Sequence, residues 1–234
     1  MKQTANPFNQ DPHDIRYYKF RSLATKEDAH RAQLILETGC FWCSRFLELN
    51  DPMEGAFSIF QNKVADTAME VLFSQKNELK ICSFSGIEGF RQPSMWGYYA
   101  NGFKGIAIEI ESRDEPLQEV IYAQGISELE DPTDIKKLLL RKLDSWQHEQ
   151  EYRFLRKSDN NYHPIGKITA VYFGNPFHNF VNKPELENQS QHFREYKDLR
   201  RQVKQVAEGK GIDVYFVEIS HGRVEKIRQP DTLL

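Results

Sequence analysis

The sequence predicts an α+β fold: a mixed, mainly antiparallel sheet, or sheets, flanked by helices. Three observations carry this. Apolar and polar residues alternate in short stretches, as with Ile106, Ile108 and Ile110 in "FKGIAIEIE", the period-two pattern of a strand. Helical stretches are interspersed among these, and regular strand–helix–strand alternation is absent. The 16 Phe and 10 Tyr favour a packed, strand-containing protein over a disordered one.

The elements follow in order. "IRYYKFRSL", residues 15–23, is aromatic-rich and reads as the first strand. "ATKEDAHRAQLILETG" reads as a helix, with Thr25 and Asp28 as its N-cap signature and Gly39 as its stop. "CFWCS" is a short strand, and "RFLELNDPMEGAF" is a loop signalled by Asn50-Asp51-Pro52. Residues 61–77 suggest a polar helix that buries Val64, Met69, Val71, Leu72 and Phe73. "LKICSFSG" is a strand, "QPSMWGYYANG" a short helix capped by Ser94, and "FKGIAIEIE" and "EVIYA" are strands. "DPTDIKKLLLRKLDSW" reads as one helix capped near Asp131 or Thr133. "EYRFL" and "ITAVYFG" are strands separated by a polar loop. "QHFREYKDLRRQVKQVAEGKG" reads as an exposed basic helix, and "IDVYFVEIS" and "RVEKIR" as closing strands. One domain spans 1–234, with a core over 15–175 and a C-terminal extension over 176–234. The weakest connection lies at 179–188.

The net charge of −3 gives no global basic field, so nothing advertises bulk nucleic-acid binding. The first 14 residues are polar and lack the apolar core of a signal peptide. No run of about 18 apolar residues occurs. A cytoplasmic, membrane-free protein is expected. Cys40 and Cys43 form C-x-x-C, but zinc would need two more soft ligands, of which Cys82 could be one. The simpler reading is buried thiols in a strand.

"SWQHEQEYRFL" places Glu149 and Glu151 one residue apart where a helix hands over to a strand. If the strand begins by Glu149, both carboxylates face one cleft; if helix persists through Gln150, they diverge. Like charges so close raise one pKa. The competing reading is an ion-pair cluster with Arg153, Lys142 or Arg156. Three further clusters stand out. Asn50, Asp51 and Glu54 sit in a loop stiffened by Pro52. Trp96 and Tyr99 share a helix face, for core packing or for stacking on a planar ring. Lys19 and Arg21 share a strand face opposite Tyr18 and Phe20, pointing to solvent or to a phosphate. Phosphate-binding glycine loops, G-x-S-x-G and H-E-x-x-H are all missing, which counts against Rossmann dehydrogenases, P-loop enzymes and those hydrolases.

Together, "YYKFRSL", "FWCSRFLELNDPMEGAF", "CSFSG", "MWGYYANGFKGIAIEI", "SWQHEQEYRFL" and "ITAVYFG" resemble the domain of unknown function 2971 family over about residues 17–175. More distantly, the layout is similar to ADP-ribosyltransferase folds, especially toxins that modify DNA bases. "LILETG" matches their helix ending, and Glu151 before "YRFL" matches the catalytic glutamate, with Glu149 two residues earlier. The resemblance implies NAD as substrate and an ADP-ribosyltransferase-like fold, in a toxin or phage-defence effector with a nucleic-acid or protein acceptor. It implies Glu151 and Glu149 as catalytic residues. Tyr18 or Arg21 would stand at the first-strand contact and Ser44 at the second-strand position. Lys19 or Arg21 would meet the diphosphate, and Trp96 or Tyr99 would line the nicotinamide or adenine pocket. No metal is implied. The alternatives are a non-catalytic nucleotide- or nucleic-acid-binding module, with Arg194, Lys197, Arg200, Arg201 and Lys204 on phosphates, or a nuclease.

Overall fold

The structure, a computed structural model, describes residues 16–49, 57–59, 66–112, 117–125, 127–129, 135–176 and 191–227. It is α+β, built on one curled, mainly antiparallel mixed sheet flanked by helices. Strands β1 (Arg16–Ser22), β4 (Leu79–Ser85), β5 (Gly105–Glu111), β6 (Gln118–Glu119), β10 (Glu151–Lys157), β12 (Lys167–Phe173), β13 (Asp213–Ser220) and β14 (Arg223–Ile227) form it. Their spatial order is β14-β13-β12-β5-β1-β4-β10-β6. Within this sheet, among the described residues, only β12 and β13 run parallel, because an intervening helix carries the chain back across the sheet. Short pairs complete the strands: β2 (Cys40–Trp42) with β11 (Tyr162–Pro164), β3 (Phe57–Ile59) with β8 (Ser127–Leu129), and β7 (Ile121–Ala123) with β9 (Arg141–Leu143).

Helix α1 (Lys26–Thr38) starts and stops where its sequence demands. The Thr25 hydroxyl accepts from the Asp28 N–H at 3.1 Å, and Asp28 returns a bond to the Thr25 N–H at 3.2 Å. Gly39, at φ 70°, supplies the left-handed stop. Ala29, Ala32, Ile35 and Leu36 are its buried face. They pack with the final helix, Gln191–Gly209, against one side of the sheet, on Ile106, Ile108, Ile110, Phe84 and Phe154. On the other side, α3 (Ile87–Phe90) and α4 (Pro93–Tyr99) cover Tyr18, Phe20, Ala107 and Tyr172. Among the described residues the remaining helices are α2 (Asp66–Glu78) and α5 (Ile135–Leu139), and Gln191–Gly209 is numbered α6.

Several expectations are corrected. The stretch 131–146 is not one helix: after α5 it becomes β9 and then a 3₁₀ turn over Asp144–Glu149. The parallel pairing of Arg141–Leu143 with Ile121–Ala123 captures the backbone that a longer helix would use. "EVIYA" breaks at Val120, leaving the main sheet at β6 and joining β9 at β7. In α2, Leu72 is buried but Val71 and Phe73 are exposed. Pro93, not Ser94, opens α4, with Gln92 as its N-cap. The basic helix is amphipathic: Tyr196, Leu199, Arg200, Val203 and Ala207 are buried, and the Arg200 guanidinium lies over Phe216. The C-terminal strands extend the main sheet beside β12. Residues 50–54 and 179–188 lie outside the described residues.

Cys43 and Cys82 are buried thiols and Cys40 is partly exposed. Ser44 pairs antiparallel with Ile81, which sets Cys43 opposite Cys82. Burial opposes ionisation of Cys82, yet the hydrogen bond from Cys43 and the Lys19 and Arg21 charges pull it down to about 6. A more acidic thiol reacts faster only where a reagent reaches it. Iodoacetamide is therefore expected to alkylate Cys40 first in the native protein, with Cys43 and Cys82 protected until unfolding. Peptide mass mapping checks this; early labelling of Cys82 would contradict the buried placement.

Candidate functional site

The main sheet opens between β1 and β4. These strands share one registered pair, Tyr18↔Ser85, whereas β1 stays in register with β5 over seven residues. Beyond that pair, the Lys19 ammonium reaches across and donates to the Ser83 carbonyl at 2.8 Å. A cavity of about 280 Å³ lies at the opening, lined by Tyr18, Lys19, Ser83, Ser85, Tyr99, Lys142, Glu149, Glu151 and Arg153, among others.

Gln150 decides how the two carboxylates meet. The 3₁₀ turn ends at Glu149, and Gln150 adopts φ 43°, ψ 59°, a left-handed conformation uncommon outside glycine. This reverses the chain before β10 begins at Glu151. The two acids therefore converge although a helical turn runs up to Glu149. The Gln150 side chain is held too: its Oε1 accepts from the backbone N–H groups of Glu88 at 2.8 Å and Gly89 at 3.2 Å. Gly89 is required here for space, since a Cβ would collide with the Glu149 carbonyl oxygen.

Lys142 joins the acids. Its ammonium lies 2.7 Å from Glu149 Oε2 and 3.3 Å from Glu151 Oε2. The Tyr99 hydroxyl donates to Glu149 Oε1 at 2.5 Å. Arg153 grips Glu151 bidentately, Nε to Oε1 at 2.7 Å and Nη2 to Oε2 at 2.9 Å, and its Nη1 donates to the Leu139 carbonyl. The Glu151 N–H donates to the Tyr122 hydroxyl at 2.7 Å. All four charged side chains are buried.

Burial pushes the Glu151 pKa up, but Arg153, Lys142 and a hydrogen bond from Ser83 outweigh it and hold the acid at about 2. Glu151 is anionic across the physiological range. The like-charge elevation expected from Glu149 is overridden, because two cations stand nearer to Glu151's oxygens than repulsion can offset. Its folded pKa lies below the ordinary 4.5. The associated stability, about 3 kcal/mol, is present above pH ~5 and drains away as pH falls toward ~2. Urea melts through this range should show a steeper acid loss in the native protein than in Glu151→Gln. Equal slopes would mean that Glu151 is not held ionised by the fold.

The residues expected at the site are partly brought together. Glu149, Glu151, Tyr18, Lys19 and Tyr99 line the cavity. Trp96 does not: it is fully buried in the core, with its indole N–H donating to the Phe90 carbonyl at 2.9 Å. Ser44 sits on its isolated bridge to Ile81 and outside the cavity lining, while Ser83 and Ser85 take places beside the acids. Arg21 lines a different cavity, with α1. Arg156 is exposed, so of the three expected ion-pair partners only Arg153 and Lys142 join. Sequence reasoning gave no site role to Ser83, Ser85 or Tyr122. The polar Ser83 and Ser85, alternating with apolar Cys82 and Phe84 in an otherwise buried strand, were the available signal for two of them.

Compared with family models, curated proteins and solved structures, the chain matches none. Among the described residues, no helix is long and apolar enough to cross a membrane.

Proposed function

We propose that the protein is an ADP-ribosyltransferase-like enzyme that uses NAD. The observation that carries this reading is the convergence of two buried carboxylates, one held anionic, on a cavity where the sheet opens. Cleavage of the nicotinamide–ribose bond passes through an oxocarbenium-like transition state. The bonding pair leaves with nicotinamide, and an acceptor lone pair then closes on the same ribose carbon. A rigid carboxylate beside that carbon stabilises the positive charge without reorganising. Glu151 fills this role, fixed by Arg153 and by the Tyr122 hydroxyl behind its backbone. Glu149, between Tyr99 and Lys142, orients the acceptor and takes its proton. Lys19, whose pKa burial lowers, supplies a donor to the phosphate end. The cavity is small for a ligand site, so it suits the nicotinamide–ribose end of NAD rather than the whole dinucleotide. An acceptor, nucleic acid or protein, would enter from the open side, in keeping with a toxin or phage-defence role.

A second reading has its own support. Lys142 and Arg153 already balance both acids, as in a structural ion-pair network, and Lys19 leaves the cavity with a further cation. That arrangement fits a nucleotide-binding module without turnover. Incubation with NAD separates the two. Nicotinamide release that depends on Glu151 supports the transferase. Saturable NAD binding with no release supports the module.

A further inference from the structure

A second cavity lies on the opposite face of the sheet, against α1, and none of the chemistry above uses it. It has a volume of about 840 Å³, within the range of small-ligand sites. Its lining includes Arg21, His30, Arg31, Cys40, Trp42 and Tyr162. Two features are hard to explain by folding alone. First, the Arg21 Nε is buried, and among the described residues it has no hydrogen-bond partner. A desolvated N–H without an acceptor is costly unless something else supplies one. Burial lowers the Arg21 pKa, and Arg31 nearby adds to that effect. Second, Trp42 and Tyr162 meet edge to face, with ring centroids 5.1 Å apart, on the short β2–β11 pair, and stay 40% and 51% exposed. The core gains little from them there, whereas an aromatic corner beside a cation suits a planar ring tethered to a negatively charged group.

We infer that this cavity is a binding site for a nucleoside monophosphate, with the phosphate on Arg21 and the base against Trp42 and Tyr162. Arg31 on α1 stands along the same wall and adds a second cation, paired with the lining residue Glu27 at 2.9 Å, and His30 lies beside them. Phosphate suits the fork of Arg21, whose donors are planar and permanently charged. The site is distinct from the carboxylate cavity, since the two share no lining residue.

The test is calorimetric titration of the full chain with AMP, with adenosine and inorganic phosphate as comparators. Saturable AMP binding is expected, weaker by about tenfold or more when either the base or the phosphate is missing. Arg21→Gln and Trp42→Ala should each weaken AMP by a similar factor, and Glu151→Gln should leave it unchanged. AMP should also slow iodoacetamide alkylation of Cys40, which lines the cavity. If Arg21→Gln lowers the melting temperature sharply, Trp42→Ala decides, because its ring lies at the surface. Absence of saturation in the millimolar range overturns the inference. So does AMP affinity that ignores Trp42→Ala, or that falls with Glu151→Gln and thereby places AMP in the carboxylate cavity.

Discussion

Glu151→Gln is expected to cut nicotinamide release from NAD by on the order of a hundredfold, about 3 kcal/mol of lost transition-state stabilisation. The amide keeps the shape and one acceptor toward Arg153 but removes the charge. Binding of NAD should change much less than turnover, because the missing interaction strengthens only as positive charge develops on the ribose. The same variant should melt at a lower temperature, since the buried Arg153 loses its ionic partner. Loss of folded protein and loss of chemistry are separated by assaying well below the melting transition and expressing rates per folded molecule. Unchanged turnover per folded molecule would remove Glu151 from the chemistry and leave it a purely structural acid.

The second large effect is on stability. Arg153 is 1% exposed, and Arg153→Met would leave Glu151 buried with the longer contact to Lys142 as its ion pair and the Ser83 hydrogen bond. A loss of about 3–5 kcal/mol is expected, as for other buried pairs broken on one side. Adding Glu151→Leu should restore part of it, because two apolar groups of similar volume replace two charges that had to be desolvated. Urea melts of the two single variants and the double variant form the cycle. Strictly additive losses would show that the bidentate geometry contributes no coupling, and that Arg153 is held by the Leu139 carbonyl and its packing instead.

Much of the fold was legible because local signals agreed with the tertiary structure. Thr25, Asp28 and Gly39 bound α1 as written, since both caps are short-range bonds. The isoleucines of β5 mark a strand at the centre of the sheet. The reading failed where long-range pairing overrode propensity. "KKLLLRKL" has helical periodicity, but β7 lies ready to pair with its second half, and nothing local announces that partner. Arg200 was read as solvated because arginine usually is; its aliphatic stem and planar head pack against Tyr196 and Phe216 instead. At the candidate site, both acids and two of their cations could be named from the chain. Their convergence could not, because it rests on a left-handed glutamine that propensity disfavours and that two backbone donors from α3 hold in place. Trp96 carried no mark to distinguish a core indole from a stacking one. The alternation of Ser83 and Ser85 with apolar neighbours is a mark in the chain, but their place beside the acids follows only from the pairing of β4 with β10.

The single pair that joins β1 to β4 has a mechanical consequence. It divides the sheet into a five-stranded leaf, β14 to β1, and a three-stranded leaf, β4 to β6, each stitched within itself by longer ladders. The chain nevertheless threads back and forth: β1 belongs to the first leaf, β4 to the second, β5 to the first, β6 and β10 to the second, and β12 to the first again. Neither leaf can be excised as a continuous segment, so the two must assemble together even though little backbone bonding ties their edges. The leaves are thus inseparable in folding, yet between their edges one registered pair and the Lys19–Ser83 bond stand where a full ladder would. Glu151 is the direct neighbour of Ser85, on one side of that junction, and Tyr18 stands on the other. A displacement of one leaf against the other would therefore change the separation between Glu151 and Tyr18.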